Sequence, residues 1–169
     1  MRLLKIFLTC AATALLAGCA GYHLGPVNGA VAGAKSIEVF PFNNQTLQPR
    51  LGDAVTQALR ERLQTDGTYH LVTSGGADIV VTGVITRYYR DSLSYLPGDV
   101  LTAQNYHVTI TAHITAREPG GKVLLDKNVN GSTLVQVGRD LANSERQSAP
   151  LLAEDLAHNI AELITEGAW

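Results

Sequence analysis

The chain carries almost no sulfur: two cysteines, Cys10 and Cys19, and one methionine, Met1, in 169 residues. Both cysteines lie in the first 20 positions, so no disulfide can staple the remainder and the fold must rest on its apolar core. Charge is sparse too. Only 17% of residues are Asp, Glu, Lys or Arg, and 13 basic against 15 acidic residues leave a net charge of −2. Nucleic acid selects a basic surface, and that balance argues against it as a partner. Past the N-terminus there is no second long apolar run, no internal repeat and no block of like charge. Catalytic patterns are missing as well. The serines form no nucleophile elbow. Ser74-Gly-Gly-Ala-Asp78 has neither the glycine spacing nor the lysine of a phosphate loop. His107 and His113 share one strand face but stand about 20 Å apart at 3.4 Å per residue, too far to hold one metal ion. His23, His70 and His158 show no ligand spacing. The expectation is a protein that is not an enzyme and holds no metal.

What is present starts at the N-terminus. Arg2 and Lys5 precede an apolar run from Ile6 to Leu16. Its length suits a signal-peptide core and falls short of the roughly 20 residues of a membrane-spanning helix. The run ends in Leu16-Ala17-Gly18-Cys19, which resembles the bacterial lipobox. In that motif the cysteine sulfur receives a diacylglyceryl group, the chain is cut before it, and the new amino group is acylated. Cys19 is then the lipid-attachment residue, and these covalent lipids are the only non-protein groups expected. An acyl chain contributes about 0.8 kcal/mol per buried methylene, and one chain holds only marginally. Several chains on one cysteine make a durable anchor. The rival reading is an ordinary signal peptide, with Cys19 a free thiol, which is odd in an oxidising compartment. Ala20, where inner-membrane retention usually has aspartate, favours the outer membrane. The division expected is a signal peptide over 1–18, a lipidated tether rich in glycine and alanine over 19–34, and a single domain over 35–169. Losing Arg2 and Lys5 reduces 13 basic residues to 11 against 15 acidic, a net charge near −4.

The body alternates its periods. Ile37, Val39 and Phe40 make a short strand that Pro41 ends or holds at an edge. From Pro49 to Asp66 the period is helical: Leu51, Val55, Ala58, Leu59 and Leu63 share a face, with Gly67 as C-cap. A short extended piece, Tyr69 to Val72, follows. Ile79, Val81 and Ile85 share one strand parity. Tyr106 to Arg117 alternates most cleanly, with Tyr106, Val108, Ile110, Ala112, Ile114 and Ala116 on one side and His107, Thr109, Thr111, His113 and Thr115 on the other. Glu118-Pro-Gly-Gly121 is a hairpin turn, and Val123, Leu125 and Val129 continue the apolar face. The last helix runs from about Leu141 or Ser144 to Ile164, with Pro150 kinking it, dividing it or starting a fresh turn. The order is β-α-β-β-β-α. It implies a parallel crossover, an antiparallel meander and two helices on one face of a mixed sheet of about four strands: an α/β (α+β) two-layer sandwich.

Certain segments carry a resemblance: Cys19-Ala-Gly-Tyr22, Ser36-Ile-Glu-Val-Phe-Pro-Phe-Asn-Asn-Gln-Thr46, the Leu51–Leu63 helix, Ala77-Asp-Ile-Val-Val-Thr-Gly83, Arg87–Tyr95 with Tyr106–Ile110, and Gly138–Glu145. In that order and spacing they are similar to the LPS-assembly lipoprotein LptE family. The resemblance implies a plug inside the outer-membrane β-barrel LptD that assists barrel assembly and contacts lipopolysaccharide on its way to the cell surface. Its partners would be an LptD-like barrel, lipopolysaccharide and the outer membrane. Two other readings stand beside it. One is a lipid-anchored subunit of another envelope secretion or assembly complex, because the V-x-PF-x-N-x-T opening is shared by other envelope lipoproteins. The other is a lipid-anchored periplasmic hydrolase.

Contact residues are read from chemistry. Tyr88, Tyr89, Arg90 and Tyr95 cluster near a strand end, and Tyr and Arg are enriched in interface hot spots. Arg90 also suits a lipid phosphate. Against this, one of Tyr88 and Tyr89 closes the core edge while its neighbour is solvated. Arg87, Lys127 and Arg139 suit anionic lipid or simply face solvent. Leu96–Gln104 reads as a long hairpin connection whose Val100 and Leu101 touch a barrel wall or pack back on the sheet. The Thr109, Thr111 and His113 row lies on the face away from the helices.

Overall fold

The computed structural model describes residues 33–96, 98–137 and 140–166. The signal peptide, Cys19 and most of the tether lie outside them. Eight elements follow in order: β1 (Ser36–Val39), β2 (Asn43–Asn44), α1 (Leu51–Asp66), β3 (His70–Val72), β4 (Ile79–Leu96), β5 (Asp99–Arg117), β6 (Val123–Gln136) and α2 (Leu141–Thr165). The sheet has six strands, not about four. Its order is β3-β1-β4-β5-β6, with β2 also beside β4.

β1 pairs parallel with β3 and β4, so α1 lies within a crossover connection between parallel strands. β4, β5 and β6 form an antiparallel meander. β1 and β2 border β4 as one interrupted segment. Pro41 offers no N–H at the break, and the next N–H, that of Phe42, donates instead to Thr56 Oγ1 of α1 at 2.9 Å. The Phe42 ring occupies the place where a side chain at Gly83 would stand: a Cβ there would lie 2.2 Å from its Cε1. Helix α1 buries Leu51, Val55, Leu59 and Leu63 and ends at Gly67, whose N–H donates to the Leu63 carbonyl at 3.2 Å. In α2 the buried stripe is Leu152, Leu156, Ile160 and Ile164, with Ala153, Ala157 and Ala161 beside it. Pro150 lies inside this one continuous helix, three turns in, and starts no new one. The two helices pack on each other and on the sheet face that carries Val108, Ile110, Ala112, Ile114 and Ala116.

Helix α2 sits almost on the backbone of β6. A Cβ at Gly131 would stand 2.5 Å from Leu156 Cβ. This closeness lets α2 also guard the outer edge of β6, which otherwise offers free backbone groups to any passing strand. Asp155 Oδ2 accepts from the Ser132 N–H at 2.7 Å, and Asn159 Nδ2 donates to the Asn130 carbonyl at 2.9 Å. Asp155→Ala is expected to lose about 1 kcal/mol, because the Ser132 N–H becomes unpaired in a half-buried place. Urea unfolding would show a lower midpoint at unchanged slope, with added self-association through the opened edge. An unchanged midpoint would mean that water serves the Ser132 N–H as well as the carboxylate does.

The second difference from expectation is larger. Leu96–Gln104 is not a long connection. β4 and β5 continue to a tight turn, still paired at Leu96 and Asp99. With 18 residues, β4 extends about 60 Å at 3.4 Å per residue. β6 accompanies β5 only as far as Asn105. Beyond the Ser94–Asn105 pair, after a last bond from the Val137 N–H to the Gln104 carbonyl, the ribbon is a two-stranded arm with no third strand beside it among the described residues.

Candidate functional site

A slip in register decides which side each candidate residue faces. Between Ile85 and Arg87 the β4–β5 pairing shifts, leaving Thr86 as an extra residue. Before the bulge the odd positions Ile79, Val81 and Ile85 face the helices. After it the even positions do. Tyr88 opposes Ile110 and Arg90 opposes Val108, both on the helix side, whereas Arg87 opposes Thr111 and Tyr89 opposes Thr109, on the open side.

The open face therefore carries Arg87, Tyr89 and Asp91 from β4, His107, Thr109, Thr111 and His113 from β5, and Asn128, Asn130, Ser132 and Leu134 from β6. No described element covers it. It is rich in hydroxyls and amides, with few charges. His113 meets Asn128 Oδ1 through Nδ1 at 3.1 Å and Asp126 Oδ1 through Nε2 at 3.0 Å. The hydroxyl of Tyr89 bonds the Asp91 carboxylate, which raises the phenol's pKa. Toward the arm the exposed side chains turn apolar: Tyr89 is 54% exposed, Leu134 66% and Tyr95 48%, and Leu93, the extra residue of a second register shift between Ser92 and Ser94, 56%. Val100 and Leu101 lie in the β5 half of the arm, and their side chains are outside the described residues.

Tyr88 and Arg90 belong to a different environment. Both turn to Glu145 in the first turns of α2. Arg90 Nη1 donates to Glu145 Oε1 at 2.9 Å, and Gln48 Nε2 reaches Oε2 at 3.5 Å. Burial, and after it the Glu145 carboxylate that accepts the hydroxyl's hydrogen bond, holds the Tyr88 phenol well above its ordinary 10.0. A raised phenol pKa favours the fold below pH 10, and that contribution is lost as pH climbs through the folded value. Glu145→Gln is expected to bring the Tyr88 titration down while leaving it above 10.0, since burial persists. Ultraviolet titration of the folded protein checks this; no change would mean that burial alone sets the value.

Of the residues singled out in the sequence, the structure thus brings Tyr89, Arg87, Thr109, Thr111 and His113 onto one face and turns Tyr88 and Arg90 to the other side. Tyr95 lies on the arm. Lys127 is exposed on the helix side of β6, opposite Ile114. Cys19 and Arg139 lie outside the described residues. Sequence reasoning missed Leu93 and Leu134 as exposed apolar residues and Glu145 as the shared acceptor. Leu134, alone among polar neighbours at the alternate positions of β6, was the available signal.

The architecture and the sequence both have relatives. Residues 34–166 match the family model LptE, described as lipopolysaccharide-assembly. No curated protein matches the chain. A hypothetical protein from Chlamydia trachomatis superposes with a TM-score of 0.57 at 10% identity, over 79% of this chain and 98% of that one. A minor lipoprotein from Acinetobacter baumannii gives 0.52 at 14% identity, over 78% and 92%. At such identities the two structures are alike in fold alone.

Proposed function

The chain belongs to the LptE lipopolysaccharide-assembly family, and from that premise we propose that it is a lipid-anchored, non-enzymatic plug and assembly factor of an LptD-like outer-membrane β-barrel. The family match over 34–166 carries the reading. Three features support it. The Leu16–Cys19 motif supplies an anchor, and Ala20 favours the outer membrane. An anchored partner has a raised effective concentration near a barrel in the same membrane. The open face offers hydroxyls, amides and two histidines, which suit a polar, water-filled lumen. The arm adds the exposed Tyr95, with Leu93 just before its base, to meet a wall or a loop. Arg87, beside Thr111, is an open-face cation suited to a lipid phosphate.

The test is recovery from membranes. The full chain, purified from its own envelope in mild detergent, is expected to bring one large barrel with it, and Cys19→Ala to remain as unlipidated precursor and lose that yield. Recovery with a ring-forming complex would replace the reading with the rival envelope subunit. An acylated Cys19→Ala variant would refute the anchor.

A further inference from the structure

A cleft of 520 Å³ opens on the helix side of the sheet, between the start of α1 and the Glu145–Leu152 stretch of α2. It is apart from the open face. Its apolar lining includes Leu51, Ala54, Leu152 and the ring of Tyr88, and Arg50 and Arg146 stand exposed at its mouth.

The charges around it do not balance. Glu145 is the one carboxylate lining the cleft, and it already accepts from Arg90, Gln48 and Tyr88. Arg146 bonds only neutral acceptors, the Ala142 carbonyl at 3.3 Å and Asn143 Oδ1. The Arg50 guanidinium has no hydrogen bond or ion pair among the described residues, the residue's one bond being that of its carbonyl with the Ala54 N–H at 3.1 Å. Two guanidinium groups without a carboxylate thus flank an apolar cleft in a chain whose net charge is negative. That combination fits an amphiphile with an anionic head. The volume lies within the roughly 300–1,000 Å³ of small-molecule sites, and suits one alkyl chain better than the several of a membrane lipid.

We propose that this cleft binds the anion of a single-chain fatty acid. The alkyl chain lies against Pro49, Ala54, Ala149 and the Tyr88 ring, over a floor formed by the buried Leu51 and Leu152, and the carboxylate is held by Arg50 and Arg146. Guanidinium–carboxylate bonds are charge-assisted and directional, so the head gives specificity and the chain gives buried area. The site is independent of the barrel partnership.

Arg50 offers a clean probe. It is the one non-glycine residue with positive φ among the described residues, at φ 60 and ψ 8. Arg50→Gly therefore removes the guanidinium while keeping a backbone that glycine accepts more readily. The experiment labels the full-length protein in its own membranes with a photoreactive twelve-carbon fatty acid and maps the adduct by peptide mass spectrometry. Labelling is expected on peptides covering 48–54 and 145–152, with competition by dodecanoate and not by dodecanol. Arg50→Gly and Arg146→Gln are each expected to lower it about tenfold, the scale of one lost charge-assisted bond; Thr111→Ala leaves it unchanged. Adducts spread over the surface, labelling of both arginine variants as strong as that of the unsubstituted protein, or competition by dodecanol would each overturn the proposal.

Discussion

Ile110→Asp yields no cooperatively folded domain. Ile110 is fully buried at the centre of β5, between Tyr88 of β4 and Gly131 of β6 and under the helices. A carboxylate there has no cation and no donor within the apolar layer. Placing an unpaired charge in such surroundings costs more than a domain's whole stability of about 5–15 kcal/mol, unless the group stays protonated or the chain opens. Ile110→Val, by contrast, removes one methylene and is expected to cost about 0.5–1.5 kcal/mol. Circular dichroism melts of both variants check the pair. A thermal transition unchanged in Ile110→Asp would place Ile110 on the solvated face and invert the sheet.

Gly131→Val is the second large effect, and its mechanism is excess volume. The nearest atoms to a Cβ at Gly131 are Leu156 Cβ, Cα and N, at 2.5–2.6 Å. Two of the three are helix backbone, so no rotamer change relieves the clash. Helix α2 must lift from β6, and with it go the Asp155 and Asn159 contacts that seal the edge. The expected loss is about 3 kcal/mol or more, the upper end of overpacking. Gly83→Val meets a side chain, the Phe42 ring, which can swing aside, so it is expected to cost less. Gly120→Ala, with nothing within 4 Å, is the neutral control. Denaturant midpoints that rank the three otherwise would show that α2 is not seated as described.

Much of this architecture was legible in the residues, because burial imposes a period. β5 alternates apolar and polar residues over its inner half since one face meets the helices, and α1 shows its 3.6-residue stripe for the same reason. The parts that escaped have no such imprint. β2 is two residues long, too short for a period to register, and β3 is legible only as the short extended piece Tyr69 to Val72, too short to count among the strands. The arm was read as a loop because Leu96-Pro-Gly-Asp99 signals a turn. Val100 to Gln104 then shows no alternation, because a ribbon with no third strand and no helix over it has no inside. The β4 bulge is the subtlest case. It decides that Tyr88 and not Tyr89 faces the helices and sends Arg90 to Glu145, and no residue type near Thr86 marks it. The sequence leaves open that one tyrosine closes the core edge while the other is solvated. Tyr88 is half-buried and Tyr89 exposed, as that alternative has it. The charged pair with Glu145 joins residues 55 apart, and no local pattern announces such a contact.

The proposed role rests on the open face meeting a barrel, and photo-crosslinking in living cells tests that directly. A photoreactive amino acid at Thr111, at Tyr89 or at Tyr95 is expected to give one high-mass adduct with a single large outer-membrane barrel, whereas the same probe at Glu61 on the solvent side of α1 gives a weaker adduct or none. Adducts from Glu61 as strong as those from Thr111, or adducts from the open face with partners other than a barrel, would contradict the account.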